Sequence, residues 1–318
     1  MDWMIQFNTE GKVYQLGLIE SIQITSDVDN LADTSTIVLP ESVLNKPLNF
    51  DEKILRGSQV EIKLGYDNNL KTEFIGYVQR ITNDGALIIH CEDALFLFRK
   101  SIPDHQFKKT TLKQIAEYLV ANVDSSFKVD CNYGITYEKF TIHQATAFDV
   151  LKKLQDETKG NIYFDNQTKT LHIHPAYTEV GNKVNYSYQI NIEKANLEYK
   201  RKEDKKVEIV VESTDTNGKV KSVTVGTTGG DKTTLKVGAM NQADMKKVAE
   251  SALQKQSFDG FEGSFDSWLI PFVKPTDSAH IEDVDYPYKT GSYYVKAVTT
   301  TFSSSGGVRN IKLGIRLN

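Results

Sequence analysis

The period of the apolar residues changes twice along the chain, and that pattern limits the fold more than any other feature. Up to about Pro103, apolar and polar residues alternate in short runs: KVYQLGLIESIQITSD, STIVLP, SQVEIKLGY, TEFIGYVQRIT and ALIIHCED. A period of two puts neighbouring side chains on opposite faces of a strand. Turn residues such as Asp67-Asn68-Asn69 and Asn83-Asp84-Gly85 separate the runs. Several short strands at this spacing predict a small barrel or sandwich.

From about Asp104 the period becomes helical. Thr111 with Gln114 makes a capping box, followed by an apolar stripe of Leu112, Ile115, Ala116, Leu119, Val120 and Val123. A second helix opens at Thr146 with Asp149 in its first turn. It turns Ala147, Val150, Leu151 and Leu154 inward, and Gly160 is expected to close it. A hairpin follows, NIYFD and LHIHP around Asn166-Gln167-Thr168-Lys169. Its simple register puts Ile162, Phe164, Leu171 and Ile173 on one side and Tyr163, His172 and His174 on the other.

Alternation returns from about Asn185, through ANLEYKRKEDKKVEIVVES, a turn at Gly218 and KVKSVTVG. A helix capped by Asn241 then carries Met245, Val248, Ala249, Ala252 and Leu253 on one face. An irregular aromatic-rich stretch comes next, and the chain ends in the hairpin SYYVKAVTTTFSSSGGVRNIKLGIRLN. In that hairpin Tyr294-Val295-Lys296-Ala297-Val298-Thr299 aligns with Tyr77-Val78-Gln79-Arg80-Ile81-Thr82, each followed by a glycine turn and an alternating strand. The expected fold is therefore α+β and mainly β: two similar small β-barrel domains flank an α+β domain, and a helix and long loop interrupt the second barrel. The expected boundaries are 1–103 for the first barrel, 104–185 for the α+β domain, 186–236 plus 289–318 for the second barrel, and 237–288 for the insertion.

Chemistry-bearing residues do not converge in the sequence. His90-Cys91-Glu92-Asp93 could bind a metal or move a proton. On a strand, however, Cys91 continues the inward row of Leu87 and Ile89, and Asp93 falls where a helix N-cap belongs. His172 and His174 form the strongest metal-like pair, yet no carboxylate or cysteine stands at a spacing that would complete a site. The glycines from Gly226 to Gly230 occupy a polar turn between strands, and no phosphate loop, nucleophile elbow or zinc-protease motif occurs. The expectation is no catalytic residue, no metal and no cofactor, hence no enzyme.

A net charge of -4 and a pI near 5.9 argue against a dedicated nucleic-acid binder. No apolar run reaches the ~20 residues of a membrane span, and the N-terminus lacks a signal-peptide pattern. Cys91 and Cys131 are expected as free, buried thiols of a protein made in a reducing cytosol.

The segments FIGYVQRI, IIHCEDALFLF, TLKQIAEYLV, FTIHQATAFDVLKKLQDETKGNIYFDNQTKTLHI and GSYYVKAVTTTFSSSGGVRNIKLGI follow an order that resembles the baseplate hub proteins of contractile-tailed phages. These are the late control gene D family, and the hub half of type VI secretion spike proteins is similar. The resemblance implies a structural phage or prophage tail protein: a homotrimer whose paired barrels form a pseudo-sixfold ring joining a tail tube protein to a separate spike protein. It implies a virion tail baseplate location after synthesis in the bacterial cytoplasm, with DNA passing through without specific binding. No spike-like fold follows in the sequence, so the spike is expected to be another chain. Trp268, Phe272, Tyr286 and Tyr288 are the interface candidates, with packing onto their own barrel as the equal alternative. A carbohydrate- or ligand-binding β-module using the aromatic loop is the competing reading. A tail hydrolase is a third. Unrelated topologies of the N- and C-terminal sheets, or a pocket of convergent ligands around His172, would end the scaffold reading.

Overall fold

Strand Gln59–Tyr66 shows how the alternating runs fold: Val60, Ile62 and Leu64 are buried while Glu61 and Lys63 point outward and pair with each other at 3.0 Å. The same logic repeats through a mainly β chain with few helices. The computed structural model describes residues 1–41, 50–215 and 217–317. It divides into two units: residues 1–96 with 181–198 and 262–318, and residues 97–180 with 199–261.

The first unit is built on one large sheet, and the order of its strands repeats. In the N-terminal half the strands, in chain order, are Asp2–Thr9, Ser21–Asp27, Thr34–Glu41, Gln59–Tyr66, Asn69–Asp84 and Ala86–Glu92, with the short Lys12–Gln15 added beside the first. In the C-terminal half they are Lys183–Ser187, Lys194–Lys200, Gly260–Trp268, Ser278–Glu282, Gly291–Ser303 and Gly306–Leu317. Across the sheet both halves run first, fourth, fifth, sixth, third, second. One difference is that the first and fourth strands pair antiparallel in the N-terminal half and parallel in the C-terminal half.

The match extends to irregularities. A register shift falls between Val78 and Arg80 in one fifth strand and between Val295 and Ala297 in the other. At that bulge Val78 exchanges backbone hydrogen bonds with Gly57 and Ser58, as Val295 does with Thr276 and Asp277. Gly57 has φ +91° and its counterpart Thr276 φ +78°. A left-handed threonine is strained, so the turn geometry is held even where glycine is absent. Glu20 N–H donates to Val38 O, and Glu193 N–H to Asp266 O, each at 2.9 Å.

The halves are joined where the fifth strand of the C-terminal half pairs antiparallel with the second strand of the N-terminal half, from Ala297 opposite Asp27 to Ser303 opposite Ser21. Leu269 and Phe302 enter the apolar core of the N-terminal half. Burying such side chains contributes about 1.5–3 kcal/mol each. The Arg309 guanidinium grips Glu73 with both arms, at 2.8 and 2.5 Å, and the two residues are 2% and 4% exposed. Arg309 also donates to Leu269 O at 3.2 Å and Thr300 Oγ1 at 3.0 Å. Burial raises the Glu73 pKa, and the Arg309 charge opposes that rise.

The second unit holds the helices, α1 (Leu112–Val123), α2 (Ala147–Thr158) and α3 (Gln242–Gln256). The predicted capping box of Thr111 with Gln114 forms, and the expected opening of the second helix at Thr146 proves to be a capping box with Asp149 as well. Gly160 does not close α2 as expected: Lys159 takes the left-handed position, with φ 54°. Gly160 is instead packed so closely that a Cβ would lie 2.7 Å from His174 O. The predicted hairpin, Asn161–Asp165 with Thr170–His174, has the expected register, and a third strand, Lys128–Cys131, runs parallel to it. Strand Val207–Thr214 sits between Val220–Gly226 and Asp231–Val237, and α3 packs on this separate sheet.

This division differs from the expected boundaries. Residues 199–237 lie outside the large sheet's unit, while the strands Gly260–Trp268 and Ser278–Glu282, expected inside an insertion, belong to the large sheet. Alternation identifies a strand without saying which sheet it joins.

Asp93 ends the strand Ala86–Glu92, accepting from Leu95 N–H at 2.9 Å and from Asp33 N–H at 3.1 Å. Burial pushes Asp33 up to about 7, and burial with the Asp33 charge raises Asp93 well above the usual carboxylate range. A folded pKa above the unfolded value of about 3.9 means that the folded state binds more protons between those values. Stability from Asp33 is therefore complete below about pH 4 and lost as pH rises through 7, and the Asp93 contribution has the same sign. Asp33→Asn should flatten the fall in melting temperature between pH 4 and 8 and raise it at pH 8; parallel melting curves for both proteins would contradict this assignment. Arg309→Met should cost about 3–5 kcal/mol in urea unfolding because it strands a buried carboxylate, and adding Glu73→Leu should recover most of the loss.

Candidate functional site

The four aromatic candidates fall into two places. Trp268 ends the strand Gly260–Trp268 and Phe272 follows it, whereas Tyr286 precedes the turn Pro287–Lys289 and Tyr288 lies within it. Trp268, Tyr286 and Tyr288 are 50%, 52% and 55% exposed, so packing onto their own sheet accounts for only half of each side chain. Phe272 is the exception, its ring lying 4.9 Å from the Arg309 guanidinium. Tyr286 and Tyr288 meet edge to face at 6.2 Å, with the Lys289 ammonium 4.1 Å from the Tyr286 ring. These side chains form exposed amphipathic patches without forming a pocket for chemistry.

Two strand surfaces follow from the duplication. Strand Lys194–Lys200, second in its half, ends the sheet order among the described residues. The corresponding strand of the N-terminal half, Ser21–Asp27, is covered by Ala297–Ser303. Conversely, the far part of the N-terminal fifth strand, from Arg80 onward, pairs with Ala86–Glu92 on one side, while its pairing with Gln59–Tyr66 stops at Tyr77. Its counterpart, Ala297–Ser303, has strands on both sides.

His90-Cys91-Glu92-Asp93 forms no site. Cys91 is buried, and burial raises its thiol pKa; His90 Nε2 lies 3.2 Å from Thr82 Oγ1, and Asp93 serves the backbone as described. Both cysteines are free thiols; Cys91 is buried as expected, whereas Cys131, also expected to be buried, is only half-buried.

His172 and His174 were expected to lack a carboxylate, and here the structure differs. The parallel strand Lys128–Cys131 sets Asp130 directly opposite His172. Asp130 Oδ2 lies 2.9 Å from His172 Nδ1 and 3.3 Å from His174 Nε2, and those two nitrogens are 3.4 Å apart. On the far side of the second ring, His174 Nδ1 is 3.3 Å from Glu179 Oε1, itself held by Asn132 Nδ2 at 2.6 Å. His174 is 2% exposed, and its Nδ1 satisfies no hydrogen-bond geometry despite that proximity. Burial lowers the His174 pKa against the pull of Glu179 and Asp130. Tyr163 stacks on His172 at 5.0 Å, and burial raises its phenol pKa. Asp130 and Glu179 were not singled out in the sequence because they lie 42 and 5 positions from the histidines they meet. Only the inward Val129 and Cys131 around Asp130 hinted that its carboxylate faces the histidine side.

No protein-family model matches the chain. No curated protein matches it either. Among solved structures, the tail protein of Neisseria meningitidis MC58 aligns with TM-score 0.70 at 17% identity, over 99% of this chain and 97% of that one. The 43 kDa tail protein of prophage MuSo2 from Shewanella oneidensis aligns with TM-score 0.68 at 16% identity, over 98% of both. The Escherichia coli c3393 protein, a component of the type VI secretion system, aligns with TM-score 0.65 at 10% identity, over 99% of this chain and 77% of that one. That protein is itself described as structurally similar to the T4 tail proteins gp27 and gp5. The chain thus shares its mainly β, α+β fold with phage and prophage tail proteins and with a type VI secretion component.

Proposed function

We propose that the chain is a structural tail protein of a phage or prophage, a baseplate hub whose three copies close into a pseudo-sixfold ring between the tail tube and a separate central spike. The repeated strand order of the large sheet carries this reading. Closed cyclic assembly requires heterologous surfaces that meet around an axis. A chain with two equivalent halves offers six such positions from three copies.

The joint inside the chain supplies the pattern for the joint between chains. Ala297–Ser303 covers Asp27–Ser21 within one copy. Replacing each strand by its counterpart sets Arg80 opposite Lys200 of the next copy, Ile81 opposite Tyr199, Thr82 opposite Glu198 and Asn83 opposite Leu197. Backbone hydrogen bonds hold such an added strand, and alternating side chains fix its register. The exposed Trp268, Tyr286 and Tyr288 are available as anchors for the tube or spike. A net charge of -4 suits a conduit that DNA crosses without being gripped through counterion release. The tail-protein fold of the structural neighbours supports the same role, in the virion baseplate after synthesis in the bacterial cytoplasm.

Light scattering of the purified chain at micromolar concentration should give three times 35.9 kDa. Opposed residues of an antiparallel pair lie about 4.5–5.5 Å apart, within disulfide range. Thr82→Cys combined with Glu198→Cys should therefore yield, on oxidation, a ladder that stops at the covalent trimer. A monomer at every salt concentration, or a ladder running past three, would overturn the ring.

A further inference from the structure

The geometry points to a zinc site formed by Asp130, His172 and His174, with Glu179 as the group that orients His174. The distances come first. A tetrahedral zinc with bonds of about 2.0–2.1 Å holds its ligand atoms roughly 3.3–3.4 Å apart. Asp130 Oδ2, His172 Nδ1 and His174 Nε2 form a triangle with sides of 2.9, 3.3 and 3.4 Å, close to one face of that tetrahedron. All three atoms belong to one small sheet, two of them to alternate positions of a single strand and the third to its parallel neighbour. The strand register, rather than side-chain mobility, brings them together.

Proton accounting points the same way. A neutral imidazole has one N–H and one lone pair. If His174 places its proton on Nε2, Nδ1 faces the Glu179 carboxylate as one acceptor against another. If the proton is on Nδ1, Glu179 Oε1 stands 3.3 Å away outside hydrogen-bond geometry, and the Nε2 lone pair then faces the Asp130 carboxylate at 3.3 Å. Either tautomer leaves a ring nitrogen confronting an oxygen in a group that is 2% exposed. A divalent cation at the centre of the triangle resolves the second arrangement at Nε2: two nitrogens and one carboxylate oxygen converge on it, and Glu179 Oε1 stands 3.3 Å from the nitrogen that keeps the ring proton. A carboxylate behind a ligating histidine is the usual outer-shell support of such sites. Asn132 Nδ2, 2.6 Å from Glu179 Oε1, fixes that carboxylate in turn.

Nitrogen and carboxylate donors in a three-ligand set suit zinc better than calcium or magnesium, which prefer all-oxygen shells. The side chain of Asp130 is 53% exposed, so the fourth position opens to solvent and a water would occupy it.

Zinc itself is the probe. The untagged full chain, stripped with chelator and dialysed, should retain one equivalent of Zn2+ at micromolar free zinc. Cobalt in its place should show the visible bands of a tetrahedral complex. His172→Ala and Asp130→Asn, both at partly exposed positions, should each weaken zinc binding by about 100-fold while circular dichroism stays unchanged. Glu179→Gln should weaken it by about 10–100-fold. A stripped chain that retains no zinc, or equal retention by the His172→Ala/Asp130→Asn double variant, would overturn the site. The trimer measurement is separate, since the three ligands lie outside the large sheet.

Discussion

The buried pair of Glu73 and Arg309 is the constraint on which the large sheet turns. Glu73 stands on the N-terminal fifth strand and Arg309 on the C-terminal sixth. A guanidinium taken out of water costs several kcal/mol unless its donors are used. Here they are directed to a bidentate carboxylate, Leu269 O and Thr300 Oγ1, with the Phe272 ring on one face. Shifting one strand by a single residue would break this set and leave a charge in the interior. The pair thus selects a register, which non-directional apolar burial does not do as sharply. It also explains why 1–96 and 262–318 form one unit despite the distance between them in sequence.

Two halves with one strand order need not be identical to serve as equivalents. The first strand reverses direction between them, and the connection from second to third strand is six residues in one half and fifty-nine in the other, 28–33 against 201–259. The long connection carries the separate three-stranded sheet and α3. Insertion at a loop leaves the paired strands intact, because their hydrogen bonds are made within the sheet. What the halves preserve is the bulge at Val78 and Val295 with its tight turn, the features that aim each fifth strand toward its next neighbour. In the proposed ring these repeated features would set the sixfold surface, and the single long insertion would restore threefold character.

Local features were legible in the sequence where they rested on neighbouring residues. The Thr111–Gln114 capping box, the helix start at Thr146, the Asn241 cap, the inward row of Leu87, Ile89 and Cys91, and the hairpin register from Ile162 to Ile173 all depend on spacing within about a dozen positions. The short match between Tyr77–Thr82 and Tyr294–Thr299 marks the repeated bulge, though the six-strand order behind it emerges only from pairings far apart in sequence. The assignment of strands to sheets was not legible. Val207–Thr214 alternates as well as any strand of the large sheet, and nothing in its composition shows that it pairs elsewhere. The role of Gly160 was misplaced for a related reason: a glycine after a helix suggests a cap, whereas its demand here comes from the His174 backbone across the fold.

The histidine cluster tests how far a scaffold excludes other chemistry. Convergent ligands around His172 were expected to end the assembly reading. Three ligands do converge there; they and Glu179 lie in 97–180, while the strands of the repeated halves lie almost wholly in the other unit. The large sheet derives its order from the Glu73–Arg309 pair and its apolar core. The small sheet has a buried histidine whose hydrogen bonding the protein alone leaves incomplete. The unmet atom is His174 Nδ1; a cation bound at Nε2 would stabilise the unit because it binds only the folded arrangement of the three ligands, without altering strand pairing in the large sheet. Assembly and metal binding then draw on different residues, and neither requires the other to fail.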